Sequence, residues 1–267
     1  MLARRLKDSL SRREPVIGTW MSTAHPSTAE ILAGAGYDFV VVDTEHTAID
    51  VSEVLRALIA IEQRGSVPLV RLAGIDPIQA KAVLDSGAAG VLVPMVNTRA
   101  DAELCVQMTK YPPAGNRGIG LARAQGYGED FEEYVAHAND DSLLIVQIEH
   151  KDAVENIEDI VSVAGIDGTF IGPYDLSMSL GVPGQLDHPS VVSAKKRVLD
   201  ATIAHGLVAG AHLVHPGAAV EDCSRAIAEG FRFLALGSDI LFLGESARTL
   251  HRAVRGGDTS IGDDGPC

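Results

Sequence analysis

The chain has 267 residues, 46% of them hydrophobic and 4% aromatic, which is enough for one large α/β domain with a well-buried core. Its formal net charge of −14 at pH 7 argues against nucleic acid or an anionic membrane as a partner, because both need a basic face. The charged N-terminus resembles no secretory signal, no apolar run could span a bilayer, and the three cysteines form no CxxC pair, so we expect a cytoplasmic protein.

Eight short apolar segments alternate with helical patterns along the chain. The predicted strands are Val16–Met21, Asp38–Asp43, Val67–Arg71, Gly90–Pro94, Leu143–Glu149, Gly168–Gly172, Leu207–Gly210 and Phe233–Gly237. Helices follow them, among them one that begins at Asp76-Pro77, where an N-cap residue precedes proline. Cys105 and Cys223 fall within helical patterns, and we interpret both as packing residues.

This alternation predicts a single α/β domain, a (β/α)8 barrel over residues 1–255, with a Gly- and Asp-rich disordered tail over residues 256–267. A doubly wound open sheet is the alternative, but the glycine-rich phosphate turn of that fold is missing after the first strand. Residues 111–120 hold two prolines and three glycines without periodicity, and we interpret them as a long loop.

Polar residues cluster where the predicted strands end. Asp43 ends the second strand and Glu45-His46 follow it, Arg71 ends the third, Gln147 and Glu149 end the fifth, and Asp175 follows the sixth. Because the C-terminal ends of barrel strands meet at one mouth, we expect these side chains to form a catalytic set there.

Glu149 and Asp175 are the natural hard ligands for a divalent cation such as Mg²⁺ or Mn²⁺, completed by water and substrate oxygens. Each has a structural alternative. Glu149 can instead cap the following helix or pair with Lys151, and Asp175 can serve as a helix N-cap.

His46 is one of nine histidines, so a surface position is the simpler interpretation, although the neighbouring Asp43 and Glu45 favour an acid/base role. Arg71 ends an apolar strand and needs an anion, either an internal partner such as Asp85 or a substrate oxygen. None of the six lysines lies in a predicted strand, so carbonyl chemistry here points to a metal rather than an imine.

Five motifs in this order resemble the HpcH/HpaI family of class II pyruvate aldolases, over about residues 15–254. They are Val42-Asp43-Thr44-Glu45-His46, Val70-Arg71, Tyr111-Pro112-Pro113-Ala114-Gly115-Asn116-Arg117-Gly118, Gln147-Ile148-Glu149 and Ile171-Gly172-Pro173-Tyr174-Asp175-Leu176-Ser177. The resemblance implies a TIM barrel of the phosphoenolpyruvate/pyruvate superfamily, with the last helix swapped between the subunits of a homohexamer.

The resemblance also implies residue roles. Glu149 and Asp175 would bind Mg²⁺, Mn²⁺ or Co²⁺, which would hold pyruvate and make its methyl protons acidic. His46 would be the general acid/base, with Asp85 raising its basicity, and Arg71 would stabilise charge on the enolate oxygen. Substrate would contact Gln147 and the backbone around Tyr174 and Asp175.

Tyr174 stands where the family commonly has alanine, and Thr44 and Thr47 stand where smaller residues are usual, so we expect an altered substrate pocket. The leading functional hypothesis is reversible cleavage of a 4-hydroxy-2-oxo acid into pyruvate and an aldehyde, through a metal-bound pyruvate enolate. Decarboxylation of oxaloacetate, or related carbon–carbon chemistry on the same enolate, is the alternative. A non-catalytic barrel is the third, and the complete set of polar strand ends weighs against it.

Overall fold

The computed structural model describes residues 2–214 and 219–256 of the chain. Its strands are all parallel and close into a barrel in chain order, with the last strand hydrogen-bonded to the first. They are β1 (Val16–Met21), β2 (Phe39–Asp43), β3 (Val67–Arg71), β4 (Gly90–Val93), β5 (Leu143–Ile148), β6 (Gly168–Ile171), β7 (Val208–Leu213) and β8 (Phe233–Ser238). The predicted (β/α)8 barrel is confirmed.

Helices surround the barrel. They are α1 (Leu2–Ser11), α2 (Pro26–Gly34), α3 (Val51–Gln63), α4 (Pro77–Asp85), α5 (Arg99–Thr109), α6 (Phe131–Asp141), α7 (Lys151–Glu155), α8 (Ile157–Val161), α9 (Pro173–Ser179), α10 (Pro189–Ala204), α11 (Ala219–Glu229) and α12 (Asp239–Gly256). Within the described ranges, none of these helices is long and apolar enough to cross a membrane. Gly256 ends α12, and the rest of the predicted tail lies outside the described residues.

Several helix starts follow directly from the sequence. Asp76 accepts hydrogen bonds from the backbone N–H groups of Ile78 and Gln79, and Pro77 is the first residue of α4, as predicted. The α3 helix begins with a capping box in which Asp50 and Glu53 exchange hydrogen bonds with each other's backbone. Such caps fix where α3 and α4 begin, after the short loops that follow the ends of β2 and β3.

Large aromatic rings fill the barrel interior. Phe39 and Phe233 stack with centroids 4.1 Å apart, and Phe170 meets Phe233 edge-on at 6.0 Å. Glycine makes room for these rings, because a Cβ on Gly18 would lie 2.3 Å from the Phe39 ring, and one on Gly210 would lie 2.7 Å from Phe170. The packed interior leaves the mouth as the region where polar groups can meet.

The structure differs from the sequence prediction at three places. Residues Leu2–Ser11 form α1, and its Leu6 and Leu10 are buried in the barrel core. The long insertion between α5 and β5 contains a 3₁₀ segment at Arg123–Gly128. The seventh strand continues to Leu213, three residues beyond the predicted end.

Candidate active site

The predicted strand-end residues on β2 and β3 meet through the strand register. Asp43 and Arg71 are paired as neighbours where their two strands end. Arg71 Nε donates to Asp43 Oδ1 at 2.9 Å, and Nη2 donates to Oδ2 at 2.7 Å. The Arg71 guanidinium also lies over the Trp20 ring, 4.4 Å from its centroid. These contacts hold the guanidinium in one orientation at the base of the mouth.

Glu45 supplies a second carboxylate to the same arginine. Its Oε2 lies 3.1 Å from Arg71 Nη1 and 3.7 Å from His46 Nε2, so it connects the two predicted catalytic side chains. Burial raises the pKa of Glu45 to about 7, against the lowering effect of Arg71, and the nearby carboxylates of Glu149, Asp43 and Asp175 raise it further. His46 itself lies at the rim, with 60% of its side chain exposed.

Glu149 follows the last residue of β5, and only 2% of it is exposed. Its Oε1 accepts the backbone N–H of Met95 at 2.8 Å, and its Oε2 accepts the side-chain amide of Gln147. Burial raises the pKa of Glu149, and the charge of Asp175 raises it further, although the hydrogen bonds from Gln147 and Met95 act in the opposite direction. Neither structural alternative for Glu149 is found among these contacts. The N-cap of the following helix is His150, and the described contacts of the Glu149 carboxylate are with Met95 and Gln147 rather than Lys151.

The backbone around Glu149 is specialised. Met95 has a positive φ of 55°, unusual for a residue with a side chain, while its N–H donates to the carboxylate. A Cβ at Gly172 would lie 2.6 Å from Glu149 Oε2 and 3.0 Å from Glu149 Cβ. Glycine at position 172 therefore allows the Glu149 side chain to lie across the end of β6.

Asp175 and Tyr174 are exposed residues in the first turn of α9. The negative charge of Asp175 contributes to the raised pKa of both Glu45 and Glu149. Within the described ranges, no group of three or more His, Cys, Asp or Glu residues has the geometry to hold a metal ion. The arrangement offers two carboxylates, Glu149 and Asp175, rather than a complete protein cage.

Asp85 is not brought together with His46 within this chain. It ends α4, the helix that returns from the mouth to the start of β4 at the opposite end of the barrel. There its Oδ1 accepts a hydrogen bond from Nη2 of the buried Arg117 at 2.6 Å, and Arg117 stacks on Tyr111 at 4.6 Å. Arg117 therefore anchors the insertion that begins at Tyr111 at the end of the barrel opposite the mouth. The carboxylate beside His46 in this chain is that of Glu45.

Sequence reasoning missed two aromatic residues of the mouth. Trp20 is the only tryptophan in the sequence and supports Arg71. His212 lies on β7 beyond the predicted end of that strand, with its ring centroid 5.5 Å from that of Trp20. The lone tryptophan lies one residue before the end of a predicted strand, and this position indicates a place near the mouth. His212 can be placed at the mouth only when the full length of β7 is known.

Comparisons with known proteins agree with this fold. The model of the HpcH/HpaI aldolase/citrate lyase family matches residues 16–244. A 4-hydroxy-2-oxo-heptane-1,7-dioate aldolase of Salmonella dublin is 40% identical over 246 residues, 91% of this chain and 92% of that protein. The crystal structure of an HpcH/HpaI aldolase/citrate lyase family protein from Burkholderia cenocepacia J2315 matches with a TM-score of 0.87 and 34% identity, over 95% of this chain and 98% of that one.

A third relative is named for a different reaction. The crystal structure of the citrate synthase SbnG matches with a TM-score of 0.82 and 31% identity, over 94% of this chain and 96% of that one. The family model covers most of the chain and the aldolase relative almost all of it, and both names describe enzymes that make or break carbon–carbon bonds. The chain belongs to the HpcH/HpaI aldolase/citrate lyase family and is a carbon–carbon lyase.

Proposed function

We propose that this enzyme is a divalent-metal-dependent aldolase that reversibly cleaves a 4-hydroxy-2-oxo acid into pyruvate and an aldehyde. The observation that carries the proposal is the buried Glu149 beside Asp175, at the same mouth as Arg71 and His46. Similarity to an aldolase that is named for a 4-hydroxy-2-oxo diacid supports this substrate class. Small 2-oxo acids and aldehydes are the expected partners, and neither nucleic acid nor membrane is.

The residues present fit a hard divalent cation. The negative charge of Asp175 raises the pKa of both Glu45 and Glu149, a repulsion that a bound cation would relieve. Gln147 Oε1 is a buried acceptor without a hydrogen-bond partner and can bind a water. Glu149 and Asp175 would hold Mg²⁺, Mn²⁺ or Co²⁺ together with water and substrate oxygens, as Mg²⁺ commonly binds in proteins. The cation would supply Lewis acidity toward the keto oxygen.

The other residues have complementary tasks. Arg71, held rigid by Asp43 and Trp20, stabilises negative charge that develops on the keto oxygen of the oxo acid. His46 lies at the open rim, where it can move a proton to or from the hydroxyl that becomes the aldehyde oxygen. Gln147 orients the carboxylate of Glu149, and Tyr174 at the rim limits the size of the aldehyde portion.

Exchange of the pyruvate methyl protons with deuterated water tests the proposal without an aldehyde. We expect exchange by the native enzyme with Mn²⁺, none after chelation, and a loss of at least about 100-fold in Glu149→Ala. Glu133→Ala, on the exposed side of α6, is the matched control and should exchange normally. Exchange that survives both chelation and the loss of Glu149 would exclude this proposal.

A second function is favoured by the likeness to a citrate synthase. Decarboxylation of oxaloacetate, or another carbon–carbon reaction of the same enolate, could use the same residues. Product analysis separates the two, since an aldolase releases an aldehyde from a 4-hydroxy-2-oxo acid and a decarboxylase releases carbon dioxide from oxaloacetate.

We further propose that the enzyme assembles as a homohexamer in the cytoplasm, with α12 exchanged between subunits. Four apolar residues of α12 are more than half exposed in the single chain, namely Ile240, Leu243, Leu250 and Val254. Their spacing places them along one side of the helix, and an exposed apolar stripe of this kind is typical of a subunit contact. The free thiols of Cys105 and Cys223, both buried as predicted, suit a reducing compartment.

A further inference from the structure

His212 belongs to the lining of the mouth, although no role described above includes it. Gly210, two residues earlier on β7, faces the barrel interior, because a Cβ there would meet Phe170 and Phe233. Side chains alternate along a strand, so His212 faces the same side. Its ring lies 5.5 Å from that of Trp20, and its Nε2 lies 3.2 Å from the carbonyl oxygen of Gly237. Since a carbonyl only accepts, Nε2 carries a proton in this contact.

The strand register brings His212 close to the carboxylates. Phe170 pairs with Gly210 and Ile171 with Ala211, so the next pair along β6 and β7 places His212 beside Gly172. Glu149 lies across Gly172, in contact distance of any Cβ built there. His212 is therefore about one strand spacing, roughly 5 Å, from the backbone over which Glu149 lies. It is half-buried, whereas His46 and Tyr174 occupy the exposed rim.

This depth determines which part of the substrate His212 meets. On the proposed function, the aldehyde would enter from the open side, past His46 and Tyr174, while the oxo acid would be held deeper, against Glu149 and Arg71. A half-buried side chain beside Glu149 would then contact the oxo acid. Since the proposed function assigns the carboxylate and keto oxygens of that acid to the cation and Arg71, carbon 3 and its substituent would face β7.

We propose that His212 is a specificity-determining residue, which favours a 2-oxo acid with a hydroxyl or other polar group on carbon 3 over one with an alkyl group there. The inference rests on the proposed aldolase function. An imidazole can hydrogen-bond to a hydroxyl on carbon 3, whereas a methyl group at the same place offers it no hydrogen bond. Sites built around such polar groups discriminate strongly against analogues that cannot pair with them.

Hydroxypyruvate and 2-oxobutanoate provide a matched test, because they differ only by hydroxyl against methyl on carbon 3. We would measure the kcat/KM for deuterium exchange at carbon 3 of both acids with Mn²⁺. The native enzyme should prefer hydroxypyruvate, and His212→Leu should lower the ratio of the two values by about tenfold or more, equivalent to about 1.4 kcal/mol. His212→Gln, which keeps a donor for the Gly237 carbonyl, should retain part of the preference. His137→Gln, on the exposed side of α6, is the control.

Binding measurements keep the test independent of catalysis. Trp20 is the sole tryptophan and adjoins His212, so its fluorescence can report the Kd of each acid even if exchange is absent. A Kd ratio or exchange ratio that is the same in the native enzyme, His212→Leu and His212→Gln would overturn the role of His212. Should His212→Leu fail to fold, the His212→Gln ratio alone decides. Absence of exchange with every oxo acid would instead contradict the aldolase proposal, and the Kd ratios would still decide the role of His212.

Discussion

Asp43 and Arg71 form a bidentate ion pair at the ends of two neighbouring strands, with 6% and 12% of their side chains exposed. The register of β2 and β3 sets the two residues side by side. Both members of the ion pair therefore lie on strands and neither lies on a loop. Parallel N–H donors of the guanidinium match the two carboxylate oxygens, which fixes the plane of the arginine as well as its position. The Arg71 guanidinium is therefore a positive charge held in a fixed position at the end of a barrel strand.

Removal of the charge on Asp43 should destabilise the enzyme. In Asp43→Asn the amide group cannot accept both hydrogen bonds from Arg71, and the mostly buried cation keeps only Glu45 as a charged partner. We expect the free energy of unfolding at pH 7 to fall by about 3 kcal/mol, as for other broken buried pairs. Urea denaturation measures this change, and the exposed Asp187→Asn should show almost none.

The same pair predicts sensitivity to acid. Burial disfavours the charged form of Asp43, but Arg71 outweighs it and holds the pKa of Asp43 below its usual value of 3.8. A lowered pKa in the folded state stabilises the protein above pH 3.8, and that contribution is lost as the pH falls through the folded pKa. Acid denaturation of Asp43→Asn should therefore depend less on pH below 4 than that of the native enzyme. Identical pH profiles would show that the pair contributes nothing to acid stability.

Glu45 should produce the opposite dependence at higher pH. Its pKa is raised from 4.5 to about 7, so between these values the folded protein binds a proton that the unfolded chain has released. Stability should decrease as the pH rises from about 4.5 to 7, because the buried carboxylate then becomes charged. Unfolding measured at pH 5 and pH 8 without divalent metal should show this loss, and Glu45→Gln should make it smaller. A difference between the two pH values that Glu45→Gln leaves unchanged would assign the effect to other groups.

Gly172→Ala should damage the site more than the fold. The added Cβ would lie 2.6 Å from Glu149 Oε2, so the carboxylate must move away from its hydrogen bonds with Gln147 and Met95. We expect methyl-proton exchange of pyruvate with Mn²⁺ to fall by at least about tenfold, since a displacement near 1 Å can have a large effect on catalysis. Gly34→Ala, where a Cβ meets nothing within 4 Å, is the matched control. Full exchange activity in Gly172→Ala would mean that the position of Glu149 is not critical.

The apolar side of α12 should control the proposed assembly. Leu243→Glu with Leu250→Glu places two charges on this side, and we expect the proposed hexamer to dissociate into smaller species in sedimentation velocity experiments. Thr249→Glu adds a charge on a different side of the same helix and should leave the mass unchanged. A native mass that persists in the double variant would assign assembly to another surface.

The barrel and much of its mouth follow from patterns in the amino-acid sequence. Buried parallel strands read as continuous apolar runs, and the polar residues that interrupt them at Asp43, Arg71 and Glu149 can only lie where the strands end. Local patterns of this kind involve residues close together in the chain. The first helix, with Leu2, Leu6 and Leu10 on one side, carries the same kind of local pattern in its sequence.

Which of these residues form ion pairs depends on the packing of the folded chain. Glu45 acquires Arg71 and His46 as neighbours because β2 and β3 are adjacent, whereas Asp85 ends its helix at the other end of the barrel and pairs with Arg117. Ion pairs depend on distances across the fold, and these do not follow from the distance between residues along the chain. The length of β7, and with it the position of His212, likewise depends on hydrogen bonds from β6 and β8 rather than on its own sequence.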